Sequence, residues 1–108
     1  MEKQRIIKVL TPEQYKNYCK TGIAIGSQDE TFIHTLFYEQ CWKIPELFNN
    51  QNILYILVLN DRIVQNLSLV VESNKPGGNV YPHFYPVSEF VGIPESMVEH
   101  VELYVIPL

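Results

Sequence analysis

A chain of 108 residues with 46% apolar and 19% charged residues is long enough for one hydrophobic core and falls outside the disordered class. Its net charge is −4 and its basic residues are scattered from Lys3 to Lys75, so no cationic face is expected and general nucleic-acid binding is excluded. The longest apolar run, Ile53–Leu59, is far below the roughly 20 residues of a membrane helix.

Residues 5–10 read as a first strand. Thr11-Pro12-Glu13-Gln14 then predicts a helix start, with a threonine cap, proline at the first helical position and glutamine three residues after the cap. Tyr15, Tyr18 and Cys19 keep helical spacing, and Gly22 suits a left-handed helix end. Gly26-Ser27-Gln28-Asp29-Glu30 is a polar loop that leads into a short strand over 31–35. Residues 36–48 predict a second helix, in which Pro45 either breaks the helix near Lys43 or opens a second short turn. Ile53–Leu59 is apolar on both faces and belongs in the middle of a covered sheet.

A strand over 67–72 follows, then a loop over 73–78 that is rich in turn residues. Residues 87–93 predict a further strand, 94–97 a turn or single helical turn, and 98–106 a closing strand. Helices early and strands late predict one α+β domain over residues 1–108, with mostly antiparallel sheets and two N-terminal helices. Cys19 and Cys41 lack CxxC spacing and read as reduced thiols. With no signal peptide at the start of the chain, the expected location is cytoplasmic.

Two segments concentrate the chemistry: Phe32-Ile33-His34, and the run from Gly77-Gly78 through Tyr81-Pro82-His83-Phe84-Tyr85. The glycine pair lets backbone approach a ligand without a Cβ in the way. His34, on an apolar strand, is either a half-buried core histidine or a donor to a ribose hydroxyl. Glu72 is either a solvated strand end or an acceptor for a ribose and a stabiliser of a cationic centre, with Ser73 as an adjacent donor. Pro82 and Pro86 remove two backbone donors, which predicts that this segment is not a normal central strand. It is either a rigid aromatic loop or a stacking wall with His83 facing a cleft. Among His34, His83, His100, Cys19 and Cys41 no pair has ligand spacing, so no metal is expected.

The order Ile7-Lys8, Thr11-Pro12-Glu13, Phe32-Ile33-His34, Glu39-Gln40, Glu72-Ser73, Gly77-Gly78 and Tyr81-Pro82-His83-Phe84-Tyr85 resembles the small bacterial DUF952 family over nearly the whole chain. That family looks related to the ADP-ribosyltransferase fold, which includes RNA 2′-phosphotransferases. The resemblance implies an ADP-ribosyltransferase-like shape with a cleft for NAD or a related small nucleotide. It gives His34 the ribose contact, with Thr35, Ser73, Tyr81 and Tyr85 lining the binding surface. The later catalytic role falls to Glu72 or His83, and that choice stays open. The chain departs from the family at Leu36, where a serine or threonine is common, at Val71 in place of tryptophan, and at Pro86 in place of glycine. Together these departures weaken the carry-over of activity more than that of the fold. Leu36 and Val71 favour the alternative, a non-catalytic binding or protein-interaction module, and whether the protein is an enzyme stays open.

Overall fold

The computed structural model describes residues 5–26, 29, 32–48, 50–60, 67–73, 76–86 and 92–106. β1 (Ile6–Leu10) leads directly into α1 (Pro12–Thr21). Thr11 Oγ1 accepts the Gln14 amide at 3.2 Å, and Gln14 Oε1 accepts the Thr11 amide at 3.0 Å. This is the reciprocal cap that the sequence predicts. At the other end Gly22 has φ 76° and donates its amide to Tyr18 O at 2.7 Å. A side chain in that left-handed conformation costs about 1–2 kcal/mol. Gly22→Ala is therefore expected to lower stability by that amount, read as a reduced urea midpoint with an unchanged slope.

β2 (Ile23–Ala24), β3 (Ile33–His34) and β4 (Leu36–Phe37) are two residues each. The predicted helix over 36–48 does not form as one element. Leu36 and Phe37 pair instead with Ile7 and Ile6 of β1, and Tyr38 donates its amide to Arg5 O at 2.8 Å. A 3₁₀ segment (Tyr38–Lys43) follows and then α2 (Ile44–Leu47), a single turn with Pro45 in its first positions. Pro45 has no amide to donate and its ring would clash with a carbonyl one turn back, so a continuous α-helix is blocked. Only one of the two expected N-terminal helices has length.

β5 (Ile53–Leu59), β6 (Leu67–Ser73), β7 (Val80–Pro86) and β8 (Ile93–Pro94) come next. A 3₁₀ turn (Glu95–Met97) then leads into β9 (Val98–Val105). Of the predicted strand over 87–93, residues 87–91 lie outside the described residues. The strands form three antiparallel sheets, ordered β4-β1-β5-β9, β3-β7-β6 and β2-β8. The fold is α+β, and its 13.2 Å radius of gyration matches the roughly 13 Å expected of one domain this size. Among the described residues no helix is long and apolar enough to cross a membrane.

Alternation along β5 builds the interior. Leu57 and Leu59 pack with Leu10, Ile33 and Phe84, while Leu54, Ile56 and Val58 pack with Ile7, Val9 and Leu36. An apolar run on both faces is therefore buried on both faces. β7 overturns the expectation for residues 81–86, because it is the middle strand of its sheet, between β3 and β6. The reason lies in the length of β3. In an antiparallel strand a residue's N–H and C=O point to the same side, and Pro82 O faces Thr35, whose hydroxyl donates to it at 2.5 Å. The missing donor of Pro82 thus falls just beyond the two-residue β3 ladder. Pro82 therefore removes no bond from the described ladder.

Candidate functional site

β3 and β7 place His34 and His83 as direct cross-strand partners. Side chains on paired antiparallel positions share a face, and the two imidazole centroids lie 5.6 Å apart at 62°. Phe32 covers both rings, 4.5 Å from His34 and 4.2 Å from His83. Both histidines line a cleft of about 350 Å³, together with Lys8, Asp29, Thr35 and Tyr81. Leu47, Phe48 and Gln51, around the end of α2, form another part of its wall.

Each histidine is held at Nδ1 by a carboxylate. His83 donates Nδ1–H to Glu72 Oε1 at 2.8 Å, and the Tyr85 hydroxyl donates to the same oxygen. The Tyr85 and His83 bonds keep the Glu72 carboxyl below the usual carboxylate range, and the same bond pushes the Tyr85 phenol up. His34 donates Nδ1–H to Asp29 Oδ1 at 3.1 Å. An ionised carboxylate only accepts, which puts a proton on Nδ1 in both rings and makes Nε2 the lone pair of each ring in its neutral form. On His83 that Nε2 is buried and has no hydrogen-bond partner among the described residues.

Asp29 is the hub of the other half. Its side chain is 2% exposed, and Lys8 Nζ lies 2.6 Å from Oδ2. It also accepts the amides of Gly26 at 2.7 Å and His34 at 3.0 Å. Burial alone raises the Asp29 carboxyl, but the Lys8 charge, the Lys8 hydrogen bond and the two amides outweigh it and hold Asp29 below its ordinary value. Lys8 is also buried, and Nζ donates to His34 O at 2.7 Å. Burial pulls its ammonium below the usual lysine value, against the opposing pull of Asp29. A Cβ at Gly26 would stand 2.8 Å from Lys8 Nζ and 3.1 Å from Asp29 Oδ2, so a side chain there would push the ion pair aside.

A carboxylate with a lowered folded value adds stability above its unfolded value, about 3.9 for aspartate. That stability is lost as pH falls through the folded value. Asp29→Asn is accordingly expected to be less stable than the unsubstituted chain at pH 6, with the gap narrowing below about pH 4. Urea midpoints across that range measure it, and a constant gap would show that Asp29 is not the titrating group.

Of the residues singled out from the sequence, His34, Thr35, Tyr81 and His83 line the cleft. Thr35 is buried and its hydroxyl is committed to Pro82 O. Glu72 and Tyr85 do not line the cleft and stand behind His83 as its support. Ser73 is away from the cleft, at the end of β6 opposite Val80. Gly77 sits in an exposed turn with φ 74° and open space around it, so the glycine pair shapes a turn and does not approach this cleft. Sequence reasoning missed Lys8 and Asp29. The available signal was a lysine at an alternate position of an apolar strand, flanked by Ile6 and Leu10 on the same side. Among the described residues no group of three or more His, Cys, Asp or Glu side chains is arranged to hold a metal ion.

Neither a protein-family model nor a curated protein matches the chain. Among solved structures, it is similar to the crystal structure of protein CC0527 from Caulobacter crescentus. The identity is 23% and the TM-score 0.68, with 91% of this chain and 83% of that one covered. A double mutant of CC0527 gives 21% identity and a TM-score of 0.69 over the same shares. The likeness shows a shared fold.

Proposed function

We propose that the cleft binds a small nucleotide-type ligand of the NAD or ADP-ribose kind, with a ribose hydroxyl donating to His83 Nε2. The observation that carries this reading is that nitrogen, buried and unpartnered among the described residues while Glu72 occupies the opposite side of the ring. A buried acceptor left unpaired costs about 1–3 kcal/mol, and a bound hydroxyl removes the deficit. Phe48 and Tyr81 in the cleft wall offer aromatic surface for a base or nicotinamide. A volume of about 350 Å³ lies at the small end of the roughly 300–1,000 Å³ typical of ligand sites, which suits one nucleoside portion. The resemblance to DUF952, and through it to ADP-ribosyltransferases, supports the same ligand class and any associated transfer at the ribose C1′. In this reading Glu72 orients His83 and does not touch the sugar, and the site acts by holding the ligand in place.

Thermal melting tests it. ADP-ribose, NAD or nicotinamide at 100 times its dissociation constant adds about 2.7 kcal/mol of stability, and His83→Gln is expected to abolish the shift. No shift with any of the three ends the reading of an NAD or ADP-ribose ligand. A module without chemistry is the second reading, favoured by the exposure of Leu69, Val70 and Val71 on β6, an edge strand. An open apolar edge pairs readily with another strand. With a second copy of this chain as partner, it predicts a dimer in sedimentation that no nucleotide perturbs.

A further inference from the structure

We propose that His34 and His83 form an acid–base pair that hydrolyses a ribonucleoside 2′,3′-cyclic phosphate, with Lys8 binding a non-bridging oxygen of the phosphoryl group. This rests on the nucleotide reading of the cleft and names a substrate class and reaction for it. The two rings are cross-strand partners 5.6 Å apart, and each has Nδ1 held by its own carboxylate, Asp29 for His34 and Glu72 for His83. Each Nε2 is without a hydrogen-bond partner among the described residues, that of His83 buried, and both rings line the cleft. Imidazole is the side chain best suited to giving and taking protons near neutral pH.

Two such groups side by side fit displacement at phosphorus. There the proton leaves an attacking oxygen on one side while another must reach a leaving oxygen on the opposite side. Among the described cleft residues, the Thr35 hydroxyl donates to Pro82 O, Thr11 Oγ1 accepts the Gln14 amide as the cap of α1, and Lys8 is tied to Asp29 and His34 O. The Tyr81 phenol also lines the cleft, and water is the attacking group in the step that follows. An ammonium carries three donors, and two of those on Lys8 are used, which leaves one for a phosphoryl oxygen. The Lys8 charge offsets that of Asp29, so an imidazolium on the acid partner is the remaining local cation. The small cleft and the net charge of −4 favour a mononucleotide over a polyanionic chain.

In the step, one neutral imidazole takes a proton from water as its oxygen bonds to phosphorus. The bond from phosphorus to one ribose oxygen breaks, and the other ring, protonated, gives that oxygen its proton. The product is a nucleoside monophosphate, and the two rings exchange protonation states, which solvent resets. No oxidant or second substrate enters. The groups facing the pair are Asp29 and Lys8 at His34, and Glu72 and Tyr85 at His83, together with the two rings themselves.

The test is the full chain with 2′,3′-cyclic AMP, followed by ³¹P NMR and by chromatography that separates 2′-AMP from 3′-AMP. A single regioisomer and a bell-shaped pH–rate profile are expected. His34→Ala and His83→Gln should each lower kcat by about 10²–10⁴-fold while circular dichroism and melting stay native. Glu72→Gln, at a partly exposed position, keeps the fold and is expected to lower kcat and move one limb of the pH profile. A structural role alone would not move that limb. Hydrolysis no faster than in buffer, or a rate unaffected by His34→Ala, overturns the inference. The same samples melted with ADP-ribose separate the two claims: a shift without hydrolysis sinks the reaction and leaves the nucleotide site, whereas hydrolysis without a shift leaves the reaction and sinks that choice of ligand.

Discussion

Asp29→Ala is expected to cost the fold about 3–5 kcal/mol, the usual penalty for stranding one member of a buried ion pair. Lys8 would keep its charge in a site that is 4% exposed at the side chain, and the amides of Gly26 and His34 would lose their acceptor. Domains of this kind have only about 5–15 kcal/mol in total, so the loss is a large fraction of the reserve. Urea unfolding of the single variant and of Lys8→Met/Asp29→Leu separates the causes. Replacing both charges by apolar groups of similar size is expected to be near neutral or stabilising by about 1–4 kcal/mol. If the double variant is as unstable as the single one, the ion pair is not what the single substitution damages. In either case His34 loses the acceptor at Nδ1, so ligand binding should weaken even in the stable double variant.

Phe84→Ala is expected to cost about 3–5 kcal/mol as well, from lost transfer energy and the cavity left behind. Phe84 is fully buried on the middle strand of its sheet, opposite Ile33 on β3 and Leu69 on β6, and it packs with Leu57 and Met97. Its neighbour His83 points to the other face of β7, so the cavity opens behind the site. Phe84→Leu, which keeps most of the volume, should cost much less. Equal losses for the two variants in urea unfolding would mean that packing volume is not the origin.

The sequence is most legible where structure is local. Thr11, Pro12 and Gln14 lie within one turn of each other and state the helix start by themselves, and Gly22 states its end. Ile53–Leu59 is legible because a run apolar on both faces has few places to go. Residues 36–48 mislead because Leu36 and Phe37 have acceptable helix spacing but are captured by Ile7 and Ile6 of β1, far earlier in the chain. Pro82 misleads because whether its missing donor matters depends on where β3 stops, and only the assembled sheet decides that. The site shows the same division. Histidines among aromatic residues mark their strands as unusual, but the Asp29–Lys8 pairing joins a polar loop to an interior strand. Nothing in either segment alone announces the other.

Thr35 is the only residue between β3, in one sheet, and β4, in another, and a residue in extended chain spans about 3.3 Å. The two layers are thus stitched by backbone with almost no slack. The spacing between the imidazole wall and the β1 side of the cleft is set by a covalent tether, with the Thr35 hydroxyl as its second stitch to Pro82. A guest that enters must fit the gauge of that seam, because the seam cannot lengthen to suit the guest.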